Sequence, residues 1–266
     1  MRYVDINSDL GESFGPYTMG QDEALLRIVS SANVACGFHA GDPLVMDRTV
    51  ANALASGVGI GAHPGFKDLQ GFGRRQIPVD DFVELEKMVV YQIGALMAIA
   101  RARGNRVTHV KFHGGLAHMA FNSREVAETV VRAVVSVDPG LILLNMPHTE
   151  SERAAQRAGL AVAREIFADR MYEDSGCLRS RKLPGAVIHD PGLAAERVVR
   201  MLEDGAVLCA SGKRIPTQID SVCVHGDTPG SVAIAQAVRD AVQEAGFTVR
   251  PLHQTIGTSS AAAQRS

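Results

Sequence analysis

Ionisable side chains recur at one place in the sequence pattern, where a short apolar run ends and glycine or proline follows. The first run leads into Asn7-Ser8-Asp9-Leu10-Gly11-Glu12, and later runs end at His39, His63 and His113. Burying so many charged or polar groups without a ligand would be costly. The pattern therefore predicts a functional site. Its carboxylates and imidazoles could bind a metal ion, act as acid and base, or stabilise an oxyanion.

The other run ends add a lysine, arginines and further acids. Lys111 shares a face of the fourth run with His113, and a buried lysine needs a carboxylate partner. Arg74 and Arg75 lie in the glycine-rich segment Gly71–Arg75, where they could clamp a carboxylate or phosphoryl group, the alternative being a surface ion pair. The sixth and seventh runs contribute Glu165, Asp169, Arg170, His225 and Asp227.

Two residues of this kind are expected to be structural. Asp42 precedes Pro43, and a short acid followed by proline is typical of a helix N-terminus. His109 lies further from the end of its run than Lys111 and His113 do.

Alternating strands and helices must position these side chains. The apolar runs lie near residues 2–8, 32–38, 58–62, 107–112, 141–146, 162–168 and 221–225. Helical patterns cover residues 22–30, 43–56, 80–103, 123–137, 151–158, 191–203 and 229–245. This alternation predicts a parallel sheet, either doubly wound or closed into a barrel. A barrel is favoured, because it draws its site from the ends of many strands, whereas an open sheet uses one switch point.

The length of 266 residues fits one β/α-barrel domain, predicted over residues 1–252. The serine- and alanine-rich tail, residues 253–266, is expected to be disordered. Residues 170–190 show little periodicity and are predicted to form a long functional loop or lid.

Composition excludes several classes of protein. A net charge of −2 and the absence of tryptophan argue against nucleic-acid binding and against an anionic membrane surface. We find no signal peptide and no apolar run long enough for a bilayer. The four cysteines form no C-x-x-C pair, which favours reduced thiols and a cytoplasmic enzyme. A Walker-type phosphate loop is also missing.

Five segments resemble, in order, the motifs of the LamB/YcsF family. They are Asn7–Gly15, Ser31–Pro43, Gly61–Pro64 with Gly71–Arg75, Phe167–Arg170 and Val224–Asp227. The resemblance runs from about residue 3 to residue 250. One segment departs from the family pattern Val-Lys-Pro-His-Gly-Ala-Leu-Tyr-Asn: residues 110–118 read Val-Lys-Phe-His-Gly-Gly-Leu-Ala-His. The loop that follows the fourth strand is therefore where the substrate could differ from that of the family.

The resemblance implies a distorted seven-stranded β/α barrel of the glycoside hydrolase/deacetylase type. It also implies the A subunit of an ATP-dependent 5-oxoprolinase, which works with B and C subunits. The reaction would convert 5-oxo-L-proline to L-glutamate, with hydrolysis of ATP to ADP and phosphate. Mg²⁺ would accompany the ATP. Which subunit binds ATP stays open.

The implied roles fall into three groups. Catalytic roles are expected for Asp9, Glu12, Lys111, His113, Glu165 and Asp169. Substrate or phosphoryl binding is expected for His39, Arg74, Arg75, Arg170, His225 and Asp227. By analogy with metal-dependent deacetylases of this architecture, Asp9, His63 and His113 could bind a divalent metal ion. Two alternatives stay open: a stand-alone metal-dependent deacetylase or amidohydrolase acting on a small or carbohydrate substrate, and a non-catalytic binding subunit.

Overall fold

The chain folds as a closed barrel of parallel strands. The computed structural model describes residues 2–226 and 230–256. The strands are β1 (Arg2–Leu10), β2 (Ser31–Ala35), β3 (Gly59–His63), β4 (Val107–Val110), β5 (Ile142–Asn145), β6 (Ala161–Phe167), β7 (Ala206–Leu208), β8 (Arg214–Pro216), β9 (Ser221–Cys223) and β10 (Phe247–Val249). Strands β1 to β6 pair in order, and β9 pairs with both β6 and β1. The barrel therefore closes with seven strands, as the sequence predicts.

Helices follow most barrel strands and cover the outside. They are α1 (Asp22–Leu25), α2 (Pro43–Ala55), α3 (Phe82–Ala102), α4 (Gly114–Asn122), α5 (Arg124–Val137), α6 (Glu150–Arg157), α7 (Pro191–Asp204) and α8 (Ser231–Glu244). Side-chain caps set several of their starts: Asp42 accepts hydrogen bonds from the backbone N–H groups of Leu44 and Val45, which confirms its structural role. Gly205, in the left-handed conformation, ends α7.

Three elements escape the sequence patterns. Helix α4 begins with Gly114 and Gly115, which have low helix propensity. The antiparallel hairpin β7–β8 and the strand β10 are only three residues per strand, too short for a readable alternation. Conversely, the helix predicted over residues 22–30 is α-helical only to Leu25 and continues as turns.

Residues 170–190 form an irregular loop that is tied to the barrel wall. Tyr172 is fully buried, and its hydroxyl accepts a hydrogen bond from the backbone N–H of Phe167 at 2.8 Å. The backbone N–H of Ile188 donates to the carbonyl of Asp169. Both ends of the loop therefore lie beside the end of β6.

Leu252 packs against Ile142, Leu144 and Ala163 of β5 and β6 in a small apolar cluster. The amino ends of the strands also bury a polar group, because Asp5 accepts hydrogen bonds from Ser31 and Ser221. Leu252 belongs to a helical turn over residues 252–256. The remainder of the tail predicted to be disordered, residues 257–266, lies outside the described residues. Within the described ranges, no helix combines the length and apolarity needed to cross a membrane.

Candidate active site

Four buried side chains from successive strand ends form what we call the histidine centre: Glu12, His39, His63 and His113. Glu12 follows β1, His39 follows β2, His63 ends β3 and His113 precedes α4. The Oε1 atom of Glu12 lies 3.2 Å from Nε2 of His39, 3.4 Å from Nδ1 of His113 and 4.0 Å from Nε2 of His63. The parallel topology thus brings distant motifs to one carboxylate.

Backbone hydrogen bonds fix which nitrogen of two rings carries the proton. Nδ1 of His63 donates to the carbonyl of Lys111 at 2.7 Å, and Nε2 of His113 donates to the carbonyl of Phe72 at 2.7 Å. The lone pairs left on Nε2 of His63 and Nδ1 of His113 face each other at 3.0 Å. Two facing lone pairs repel unless a proton or a cation lies between them, and backbone carbonyls on the outer nitrogens are typical of metal-binding histidines.

The rings of His39 and His113 resist protonation. Burial, and then His63, lowers the pKa of His113 to about 3. Burial, followed by the charges of His113 and His63, holds the pKa of His39 well below its usual range. The rings of His39 and His113 stack 3.7 Å apart, and Nδ1 of His39 has no hydrogen-bond partner among the described residues. Neutral imidazoles beside a carboxylate are a donor set that a divalent cation prefers.

A glycine-rich loop presses against the centre. Gly73 has a φ of +61°, and a Cβ atom there would lie 2.7 Å from Cβ of His39 and 2.8 Å from Cδ2 of His113. Only glycine fits this contact. Arg75 is held within the loop by the buried carboxylate of Asp68, because its Nε contacts both carboxylate oxygens at 3.0 Å. The guanidinium group of Arg74 lies 4.9 Å above the ring of Phe72.

Below the histidine centre, Lys111 is enclosed by what we call the ammonium pocket: Asn7, Asp9, Glu165 and Cys223. Its Nζ atom lies 3.0 Å from Oε2 of Glu165, 3.1 Å from Sγ of Cys223, 3.2 Å from Oδ1 of Asp9 and 3.3 Å from Oδ1 of Asn7. Burial alone would lower the pKa of Lys111, but the carboxylates of Asp9 and Glu165 outweigh it and raise that pKa well above its usual value. Lys111 therefore stays charged.

Asp9 links the two groups. Its Oδ1 faces Lys111, whereas its Oδ2 lies 3.4 Å from Nε2 of His63. The side-chain amide of Asn33 donates hydrogen bonds to Oδ1 of Asp9, at 2.9 Å, and to Oδ1 of Asn7. Its oxygen Oδ1 accepts a hydrogen bond from Nε2 of His109 at 3.0 Å. His109 is thus a supporting residue inside the barrel, as its structural interpretation requires.

A third group lies at the ends of β6 and β9. Nδ1 of His225 lies 2.9 Å from both carboxylate oxygens of Asp169, and the His225 ring stacks on Phe167 at 5.2 Å. A ring nitrogen of His225 lies within 4.8 Å of Asp9 and Cys223. The carboxylate and the phenyl ring together orient this imidazole.

Arg170 lies on the loop side of this group. It is buried, and its NH2 group donates to the carbonyl of Arg179 at 2.7 Å. Burial, and then Arg181, lowers the pKa of Arg170. Asp227 lies outside the described residues.

Most of the predicted site residues converge in these three groups: Asp9, Glu12, His39, His63, Lys111, His113, Glu165, Asp169 and His225. The sequence prediction omits Asn7, Asn33 and Cys223 from the site. A signal was present, since Asn7 shares parity with Asp9 on β1, and the β-sheet register pairs Asp9 with Asn33. Polar residues of inward parity in an otherwise apolar strand mark a polar barrel interior.

Comparison with known proteins assigns the family. The model of the LamB/YcsF family matches residues 4–257. The A subunit of 5-oxoprolinase from Rhodopseudomonas palustris (strain BisB5) is 53% identical over 248 residues, which are 93% of this chain and 98% of that protein. The lactam utilization protein from Thermus thermophilus is 44% identical, with a TM-score of 0.88 over 93% of this chain and 99% of that one.

A more distant likeness bears on architecture alone. The T48 deacetylase superposes with a TM-score of 0.51 over 97% of this chain and 92% of that chain, at 13% identity. The barrel thus shares its fold with that deacetylase. Together, the family match over almost the whole chain and the relatives near half identity show that this protein belongs to the LamB/YcsF family.

Proposed function

We propose that this chain is the A subunit of an ATP-dependent 5-oxoprolinase, which opens the lactam of 5-oxo-L-proline to give L-glutamate. The names of the relatives support the substrate. The main support for a hydrolytic role is that the unprotonated nitrogens Nε2 of His63 and Nδ1 of His113 face each other at 3.0 Å, beside the carboxylate of Glu12. ATP as a co-substrate favours the cytoplasm.

The histidine centre suits a divalent cation. Its nitrogen and carboxylate donors are those of zinc, manganese or iron sites. Asp9, His63 and His113 would bind the ion, with His39 completing the set and Glu12 left beside it as the base. Charge favours it too, because Asp9, Glu12 and Glu165 bring three largely buried carboxylates and Lys111 supplies one compensating ammonium group. A bound cation would act as a Lewis acid on the amide carbonyl.

The chain's own residues supply the proton transfers. Glu12 accepts a proton from the attacking water, which adds its oxygen to the lactam carbon. When the C–N bond breaks, the electron pair goes to nitrogen, and the imidazole of His225 delivers the proton that this nitrogen needs. Asp169 orients His225 and stabilises its imidazolium form, through the two 2.9 Å contacts. Lys111 holds Asp9 and Glu165 in place.

The lactam is an unactivated amide, and ATP supplies the activation. Transfer of the terminal phosphoryl group to the amide oxygen would create a better electrophile. Water then adds to the carbon and the C–N bond breaks, which leaves an acyl phosphate, and a second water hydrolyses it to glutamate and phosphate. Arg74, beside the ring of Phe72, and Arg170 are candidates to hold the substrate carboxylate or the phosphoryl group. Arg75 acts on the loop through Asp68. B and C subunits complete the enzyme.

Two other classes of function make different predictions. A stand-alone deacetylase or amidohydrolase would work without ATP or partners, and the likeness to deacetylases at 13% identity concerns fold alone. A binding subunit would hold 5-oxoproline without using Glu12 or His225.

The test is glutamate release from 5-oxoproline by the purified chain, with and without its B and C partners and ATP. We expect turnover only with all of them, and loss of turnover in H113A with assembly intact. Activity of the chain alone on acetylated sugars would favour the deacetylase. Binding of 5-oxoproline, with turnover insensitive to H113A, would favour the binding subunit.

A further inference from the structure

The ammonium pocket has the composition of a cation site. Four acceptors, two carboxylates, an amide oxygen and a sulphur, lie 3.0–3.3 Å from the single Nζ atom of Lys111. An ammonium group has only three N–H donors. The four acceptors therefore outnumber the donors of Lys111, and one of them lies near the positive charge without a hydrogen bond from it.

The same place satisfies a second, independent criterion. Donor atoms of Asp9, Cys223 and His225 all lie within 4.8 Å of one another, so they could bind a metal ion together. Asp9 faces the ammonium group with Oδ1 and the histidine centre with Oδ2. A carboxylate between two cations is the arrangement expected where two metals lie about 3.5–4 Å apart.

We propose that the ammonium group of Lys111 occupies a second cation position, so that the enzyme holds one divalent cation, and that removing this group turns Asp9, Cys223 and His225 into a second metal site. The single cation rests on the proposed function; the second position rests on the ammonium pocket and on the proximity of Asp9, Cys223 and His225.

A tethered ammonium group in this position has a chemical consequence. A metal ion entering the pocket would displace the thiol proton of Cys223 and bind the sulphur as a thiolate. By filling the pocket, Lys111 prevents a thiol-preferring metal from binding beside the reacting centre.

The test is titration of metal-free protein with Co²⁺, comparing the wild type with K111A. The histidine centre contains no sulphur, so a thiolate-to-Co²⁺ charge-transfer band that depends on Cys223 reports the second site. We expect the wild type to bind one equivalent without that band, and K111A to bind two equivalents with it. The matched control K111A/C223S should lack the band, because it lacks the sulphur ligand.

The outcomes separate the two proposals. A wild type that binds one equivalent and a K111A variant without the band would overturn this inference and leave the proposed cation intact. A band in K111A with no Co²⁺ bound by the wild type would support the inference while the cation of the proposed function fails.

Folding is a second readout. Co²⁺ should raise the Tm of K111A more than that of K111A/C223S, since the ion replaces the missing charge. A K111A chain that does not fold even when produced with excess Co²⁺ would also overturn the inference.

Discussion

The main-chain carbonyl of Phe72 accepts a hydrogen bond from Nε2 of His113 at 2.7 Å, and Phe72 makes it from a left-handed backbone with φ of +52°. Such a conformation costs a non-glycine residue about 1–2 kcal/mol. The bond leaves Nδ1 of His113 unprotonated and facing His63. Backbone strain in the loop thus holds the tautomer that a metal ligand needs, which is where strain is expected in functional proteins.

The neighbouring Gly73 allows a sharp test of this loop. G73A should sharply reduce Co²⁺ or Zn²⁺ affinity and turnover, because the new Cβ would collide with His39 and His113. Gly104 is the matched control, since its φ is +72° and a Cβ there meets nothing within 4 Å. G104A should lose about 1–2 kcal/mol of stability from backbone strain and keep wild-type metal affinity. Equal effects of the two substitutions on metal affinity would contradict the close contact.

Removal of the metal should stop the reaction. Protein stripped with a chelator is expected to lose turnover in the reconstituted complex and to regain it when a divalent cation is restored. H113A should bind the ion at least about tenfold more weakly, the scale expected for loss of a ligand or its support. Metal content measured on protein purified without chelator is the direct check. His118, exposed on α4, provides the control substitution H118A, with metal content unchanged.

Proton delivery can be separated from metal binding at Asp169. D169N removes the negative charge that orients His225 while keeping the side-chain size. We expect kcat to fall by about 10²–10⁴-fold, with a smaller change in KM, because the imidazolium form loses its partner. Metal content should stay at the wild-type level, since Asp169 lies outside the histidine centre. An unchanged kcat would remove His225 and Asp169 from the catalytic assignment.

The sequence predicts the strand order and the site because both depend on local patterns. Asp9, His63 and His113 lie at or just beyond strand ends, and a parallel barrel brings all strand ends together. What it could not predict is pairing at the ångström scale. Nothing local to Arg75 indicates that Asp68 would hold it, whereas Arg74, one residue earlier, lies over Phe72. Likewise, the contact of Lys111 with Cys223 joins residues 112 positions apart.

The free energy of unfolding should fall on acidification, and the low pKa of His109 accounts for a measurable part of this fall. Burial, and then His253, lowers the pKa of His109 to about 3, against 6.5 for an unperturbed histidine. Between these values the unfolded chain binds a proton that the folded chain does not, so stability is lost as pH falls from 6.5 towards 3. The loss is at most about 1.4 kcal/mol per pH unit for this residue.

Between pH 7 and pH 5, metal-free H109Q should therefore lose about 2 kcal/mol less than the wild type in chemical denaturation. V110A, a cavity substitution on the same strand, should lower stability equally at both pH values. An H109Q protein with the wild-type difference would mean that His109 is not buried in its neutral form.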